Sequence, residues 1–254
     1  MAIFHLTVKY ISRGKGRMVV SAAAYRSGER LHDNYYGITH DFTGKRGIVY
    51  TMILLPENAP HKFYDRNTLW NAVEKVEKRK DSRLAREVEL ALPIELTLHE
   101  HIRLLNRYVT ANFVERGMCA DVAIHDKNDG NPHAHILLTT RNVHKGGFTE
   151  KNRDWDKREN TGVWRREWAN IQNREFQRKG LDIRVSHESH INRGIAREPT
   201  KHLGYRVIEL DHLGIQTDRS NENRSIEAIN KSRKEWAYQR QIEIERDRNN
   251  GRDR

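Results

Sequence analysis

The sequence predicts a mixed α/β or α+β domain of roughly 215 residues, followed by a charged helical tail. Three observations predict it. Short β-branched or alternating stretches are interleaved with longer stretches whose apolar residues recur at helical spacing. The crossings between strands are of helical length, and the chain shows no internal repeat. From about residue 220 onward charged residues dominate and apolar positions (Ile226, Ile229, Trp236, Ile242) become sparse.

The elements follow in order. "IFHLTVKYIS" (3–12) alternates Phe4, Leu6 and Val8 with His5 and Thr7, the period of a half-buried strand. "RGKGR" (13–17) is a basic loop, and "SAAAYRSGERL" (21–31) has the alanine-rich composition of a helix, with Ser21 near its start. "RGIVYTMILLP" (46–56) reads as a strand closed by Pro56. In 65–88, Leu69, Trp70, Val73 and Val76 recur at helical spacing, with Asp65 or Asn67 as cap. "REVELALP" (86–93) reads as a strand, and 97–117 as an amphipathic helix stopped at Gly117. "CADVAIH" and "HAHILLTTR" read as two strands around the turn-forming loop "DKNDGNP". Helix 161–180 places Trp164, Trp168, Ile171 and Phe176 on one face. "LDIRVSH" (181–187) is strand-like, and a long exposed helix fades into the disordered end "RNNGRDR".

Composition narrows the function classes. The 254 residues carry 46 Lys+Arg against 35 Asp+Glu, a formal charge of +11. A basic surface of that kind attracts polyanions, nucleic acid first among them. No apolar run approaches the roughly 20 residues of a membrane helix. The N-terminus has its basic residues after its apolar stretch, the reverse of a secretory signal, so a cytoplasmic location is expected. Cys119 is the only cysteine, which excludes an intrachain disulfide and a cysteine-rich zinc site. It reads as a buried small hydrophobe.

The chemistry concentrates in "DVAIHDKNDGNPHAHILLTTR" (121–141). His133 and His135 flank Ala134 and so share one face of a strand. If the two strands pair as a hairpin, His125 stands beside them. Three neutral imidazoles would then converge as metal ligands and leave coordination positions open, the arrangement of a catalytic metal rather than a closed structural one. The plain alternative is a chance His-x-His pair facing solvent. His5 is a further histidine that could share this sheet face. No GxxxxGK[ST] loop is present, so nucleotide hydrolysis is not indicated. Tyr25 stands among small residues in "SAAAYRSGER", which leaves its ring accessible for nucleophilic attack.

These segments, together with "RLAREVELALP" and "EPTKHLG", resemble the MobA/MobL relaxases, plasmid mobilisation nickases of the His-hydrophobic-His superfamily. The resemblance runs in order from residue 1 to about 230. It implies an α+β fold with a central antiparallel sheet of about five strands, helices mainly on one face, and the tyrosine helix over the metal face. It places the relaxase domain in 1–215 and a charged helical extension in 216–254. Tyr25 corresponds to the family's nucleophile, His125, His133 and His135 to its metal ligands, Glu87 to a glutamate near the site, and Arg79 to an arginine eight positions before it.

The implied reaction is nicking of one DNA strand at a plasmid transfer origin. Tyr25 attacks the scissile phosphate, leaving a 3′-hydroxyl and a 5′-phosphotyrosyl link, and the reversal of that step rejoins the strand. A divalent ion (Mn or Mg, with Zn, Ni or Co also accommodated by three histidines) would bind the phosphate oxygens. Free tyrosine has a pKa of about 10, so a cation such as Arg79 would favour the phenolate. Glu87 would take the proton, fix a histidine tautomer, or form an ion pair with Arg86 or another cation. Tyr35 and Tyr36 offer a second nucleophile. The expected partners are single-stranded origin DNA, read as a hairpin by segments after 180, relaxosome accessory proteins and a conjugation coupling protein. Basic segments 13–18, 78–83 and 165–179 are candidate phosphate contacts.

Three other readings stay open: a rolling-circle replication initiator, which would place the histidine pair before the tyrosine, a non-catalytic DNA-binding module, and a nuclease that uses water. Family members often continue into a primase, a helicase or a long helical region, whereas this chain stops at Arg254.

Overall fold

The computed structural model describes residues 4–189, 192–201 and 203–250. Its contacts divide the chain into two compact units, 1–187 and 188–254.

The first unit is built on five antiparallel strands: β1 (Leu6–Ser12), β4 (Ile48–Leu54), β5 (Arg83–Ala91), β6 (Ala120–His125) and β7 (His133–Leu138), in the order β1-β5-β7-β6-β4. The remaining strands form two small hairpins, β2 (Arg30–Asp33) with β3 (Ile38–Asp41), and β8 (Arg141–His144) with β9 (Gly147–Lys151). The expected strands at 3–12, 46–56, 86–93, 119–125 and 133–141 correspond to the five sheet strands. Segment 181–187 forms no strand; there the Val185 backbone N–H and C=O pair with the Asn173 side chain at 2.9 Å each. A side-chain amide thus satisfies the groups that a ladder would otherwise take.

Both sheet faces are covered. The larger core, under α3 (Leu98–Val109) and α4 (Arg158–Arg178), joins Leu90, Val122, Ile136, Tyr108, Trp164 and Phe176. On the other face, α1 (Val19–Ser27) and α2 (Arg66–Val76) bury Val20, Ala23, Leu69 and Trp70 against Ile11, Ala85 and Leu137. The alternation of buried residues on both faces explains why β6 reads as a continuous apolar run. Cys119 is buried in the second core, and burial pushes its thiol up to about 12, an inert sulfur.

Two polar devices fix the helices. Asp65 caps α2, accepting from the Thr68 backbone N–H at 2.8 Å. Thr97 and Glu100 form a capping box on α3. Helix α2 is tied to the sheet through the buried Asp121 on β6, which accepts from Arg66 Nε at 2.9 Å and Trp70 Nε1 at 2.8 Å. Arg66 also pairs with Glu29. Asp121→Ala should therefore lower stability by about 3–5 kcal/mol, because it strands a buried guanidinium and an indole N–H. Urea unfolding checks this, and a loss under 1 kcal/mol would show that the network is solvated.

In the second unit, α5 (Tyr205–His212) and α6 (Asp218–Asn250) are linked by an Arg224–Asp211 pair at 2.8 Å. Asn223 on α6 bonds the Lys201 backbone through both its amide atoms, at 2.8 and 2.7 Å. The long exposed helix expected after 220 is α6. Of the expected disordered end, residues 251–254 lie outside the described residues.

Candidate active site

Helix α1 is where packing exposes the tyrosine. Val19, Val20, Ala23 and Ala24 are fully buried, so the stripe facing the sheet excludes Tyr25, which is 49% exposed. Its ring meets Phe42 edge-on, with centroids 5.3 Å apart. Gly28 ends the helix at φ 70°, its N–H returning to Ala24 O at 2.9 Å. A Cβ at Gly28 would lie 2.6 Å from Ile48 Cδ1, so glycine is needed there for space as well as for conformation.

The last turn of a helix leaves carbonyls without helical partners. Two of these in α1 are taken from outside the helix. Lys45 Nζ donates to Tyr25 O at 2.8 Å, and His125 Nε2 donates to Arg26 O at 2.7 Å. Lys45 also sits over the Tyr25 ring, 3.6 Å from its centroid. Burial and the charges of Arg26 and Lys127 bring the Lys45 ammonium down to about 8.

The three expected histidines come together. His125 pairs directly with His133 in the β6–β7 ladder, and His135 stands two residues further along β7. Directly opposed residues share a face, as do alternate residues of one strand. The ring centroids are 4.8 to 5.4 Å apart, and one nitrogen from each ring lies within 4.8 Å of the others.

Each ring also has an acceptor for its other nitrogen. His125 Nε2 faces Arg26 O, His133 Nδ1 faces Asn131 O at 2.8 Å, and His135 Nδ1 faces Glu87 Oε1 at 2.9 Å. Because those oxygens only accept, each ring in its neutral form presents its other nitrogen as a lone pair. This is the donor set a divalent metal needs, with ring orientation fixed from behind. A second close set, Glu87, Glu89 and His135, has its carboxylates engaged, with Glu89 bound by Lys9 at 2.8 Å and Glu87 by Arg26.

Glu87 lies on β5 beside His135, and its cation is Arg26, whose Nε donates to Oε1 at 2.6 Å. Arg86, the neighbour in sequence, points to the other sheet face and pairs with Asp156 at 2.5 Å. Burial alone would raise the Glu87 carboxyl, but the His135 hydrogen bond and the Arg26 charge outweigh it and hold it at about 2.

Arg79 is not brought to this group. It precedes β5, its side chain is 80% exposed, and it pairs with Asp81 at 2.8 Å. Strand β5 runs from that end toward Ala91, opposite His133, so the turn closed by Ser82 N and Arg79 O at 3.2 Å and the first strand residues separate Arg79 from Glu87. The arginine that pairs with Glu87 is not Arg79, which the resemblance had implied near the site, but Arg26. No local pattern marks it, since the contact spans 61 positions.

The other expectations are placed as follows. Tyr35 packs edge-on against Tyr36 and lies under the Arg13 guanidinium, 4.2 Å away. Arg13 binds Glu74, which accepts from the Val19 N–H, so this pair stands at the opposite end of α1 from Tyr25. Of the basic loop 13–18, Arg13 is buried and bonded to Glu77 O and Arg79 O at 2.7 Å each, which removes it from a DNA-contacting role. His5 lies just before β1, its carbonyl accepting from Ala91 N at 3.2 Å.

The site should make the apo-protein acid-sensitive. Burial lowers His125 from 6.5 to about 4, so between those values the unfolded chain binds the extra proton and stability falls as pH falls. Glu87 is depressed from 4.5 to about 2, so its contribution is present above 4.5 and is lost as pH falls toward 2. Urea midpoints in EDTA should decline from pH 6.5 downward, and less steeply in His125→Phe. A flat profile from 7 to 4 would contradict this.

A five-stranded antiparallel sheet presenting three histidines beside a helix that carries an exposed tyrosine is a relaxase-type α+β arrangement. The profile of the MobA/MobL family matches residues 17–212. The mobilization protein MobL of Acidithiobacillus ferridurans is 36% identical over 238 residues, 80% of this chain and 62% of that protein. The probable conjugal transfer protein TraA of Sinorhizobium fredii is 32% identical over 267 residues, 88% of this chain but 24% of that protein. A solved structure described as "Molecular Basis of Vancomycin Resistance Transfer in Staphylococcus aureus" superposes with a TM-score of 0.70 at 36% identity, covering 74% of this chain and all of that one. The chain belongs to the MobA/MobL family, and it spans less than two thirds of the length of these two curated relatives.

Proposed function

We propose that this protein nicks one DNA strand at a plasmid transfer origin by tyrosine transesterification, and rejoins it by the reverse reaction. The observation that carries the reading is the junction between helix and sheet. Arg26, the residue after Tyr25, gives its carbonyl to His125 and its guanidinium to Glu87, so nucleophile and imidazoles are held in one hydrogen-bonded unit. Family membership supports the same reaction.

His125, His133 and His135 would hold a divalent ion, which when bound would supply positive charge to neutralise the scissile phosphate. Tyr25 Oη gives up its proton to water and attacks phosphorus. The P–O3′ bond breaks, the departing 3′ oxygen takes a proton from water, and the 5′-phosphate stays on Tyr25, so the proton count is unchanged. Glu87, ionised and shared between Arg26 and His135, serves to orient His135 rather than to accept the phenolic proton. Ester energy is conserved in the phosphotyrosyl link, so religation proceeds without a nucleotide.

The partner is single-stranded origin DNA, attracted by the net charge of +11. A hairpin element, accessory proteins and a coupling protein belong to the same proposal, as does a cytoplasmic location. Among the described residues no helix is long and apolar enough to cross a membrane.

The test is to incubate the protein with Mn²⁺ and a labelled single-stranded oligonucleotide spanning its own plasmid's transfer origin, then run a denaturing gel. The expected result is a product that migrates at protein mass and disappears in EDTA. Cleavage without such a product would indicate a nuclease that uses water. Binding with neither, unaffected by EDTA, would indicate a DNA-binding module.

A further inference from the structure

The segment between β3 and β4 carries Lys45, which no motif singled out. It is brought to α1 by a backbone link: Asp126 N donates to Gly47 O at 2.8 Å, and Gly47 adopts φ 84°. That link joins the segment to the residue immediately after His125. A Cβ at Gly47 would lie 2.8 Å from Lys127 Cγ, so the close approach depends on glycine. Lys45 then reaches back over the tyrosine and makes two contacts with one residue, its ammonium lying on the ring face and donating to the carbonyl.

A surface lysine ordinarily keeps its ammonium in water. Here it is half-buried, beside two other cations, Arg26 and Lys127, and among the described residues no carboxylate pairs with it. Its placement therefore has no ion pair to explain it. What it achieves is geometric: one ammonium fixes the backbone of Tyr25 and covers one face of its ring, while Phe42 meets the ring edge-on. The ring retains the side not covered by Lys45 and Phe42 for substrate.

We infer that Lys45 is a positioning residue that holds Tyr25 for in-line attack. This rests on Tyr25 being the nucleophile. A mere scaffold role would alter stability, and a phosphate contact would alter DNA affinity. Positioning alters the rate of the chemical step at saturating DNA, because a misplacement of about 1 Å costs on the order of 100-fold.

The experiment uses the full chain, Mn²⁺ and the origin oligonucleotide under single-turnover conditions, comparing wild type, Lys45→Met and Lys45→Arg. Methionine keeps an apolar stem over the ring, and arginine restores a cation able to stack and donate. Lys45→Met is expected to slow the adduct-forming rate constant at saturating DNA by about 10- to 100-fold. Its reaction amplitude, melting temperature and Kd for the oligonucleotide should remain near wild type. Lys45→Arg should recover most of the rate.

An unchanged rate constant in Lys45→Met would overturn the inference. So would a loss confined to Kd with a shallower salt dependence, which marks a phosphate contact, or a joint fall of amplitude and melting temperature, which marks a scaffold. If wild type itself forms no adduct on Tyr25, the nucleophile assignment fails first and this inference fails with it.

Discussion

Tyr25→Phe should bind origin DNA as wild type does and form no covalent adduct with it. The substitution removes one oxygen and little else. Phenylalanine retains the edge-on contact with Phe42 and the ring face beneath Lys45, and the ring is half exposed, so no buried partner is stranded. A fold defect would not explain a loss of activity. Removing a nucleophile outright typically lowers turnover by 10³- to 10⁶-fold, and here the adduct itself should vanish. The readout is the protein-linked band on a denaturing gel, with binding measured in parallel. Persistence of the band in Tyr25→Phe would move the nucleophile elsewhere, and Tyr35 and Tyr36 would be tested next. They stand at the far end of α1 beside Arg13, so the structure offers them no path to the histidines without rearrangement.

Glu87→Gln should weaken divalent-metal binding by about 10- to 100-fold while leaving the protein folded. The carboxylate holds His135 through Nδ1 and is itself held by Arg26. Glutamine keeps the size and one acceptor oxygen but loses the charge that both partners require. Glu87→Ala removes both hydrogen bonds and leaves the largely buried Arg26 side chain without a counter-charge, which should cost about 3 kcal/mol of stability. Calorimetric titration with Mn²⁺ measures the first effect and urea unfolding the second. Equal metal affinity in wild type and Glu87→Gln would mean that His135 needs no charged acceptor, and that the charge of Glu87 serves only the ion pair with Arg26. Arg79→Ala serves as the control and should change neither quantity, because Arg79 is exposed and pairs with Asp81 next to it.

The comparison of Arg79 with Arg26 shows where sequence reading stops. Residues that act through periodicity were legible. His133 and His135 had to share a face once 133–138 was a strand. His125 had to stand opposite once the loop 126–132 closed the hairpin, and the ladder pairs it with His133. Tyr25 was legible for a related reason, since alanines bury one stripe of a short helix and leave the remaining face open. Asp65 is a local signal as well, acting on a backbone group three residues away. The small hairpins β2–β3 and β8–β9 went unread because their strands are four or five residues long, too short to show a period.

The sequence by itself determined the identities and the faces: three imidazoles on one side of a strand pair, a tyrosine on the open side of a helix, a basic chain, and the order of elements that makes an antiparallel α+β domain. Only the tertiary structure decided which groups meet. Arg26 reaching Glu87, His125 and Lys45 reaching the carbonyls of the tyrosine helix, and Asp121 collecting Arg66 and Trp70 are contacts across 20 to 99 positions. Periodicity fixes where a side chain points within its own element. Which charge or carbonyl waits there depends on how separate elements pack, and charges and carbonyls of the same kind are present throughout the chain.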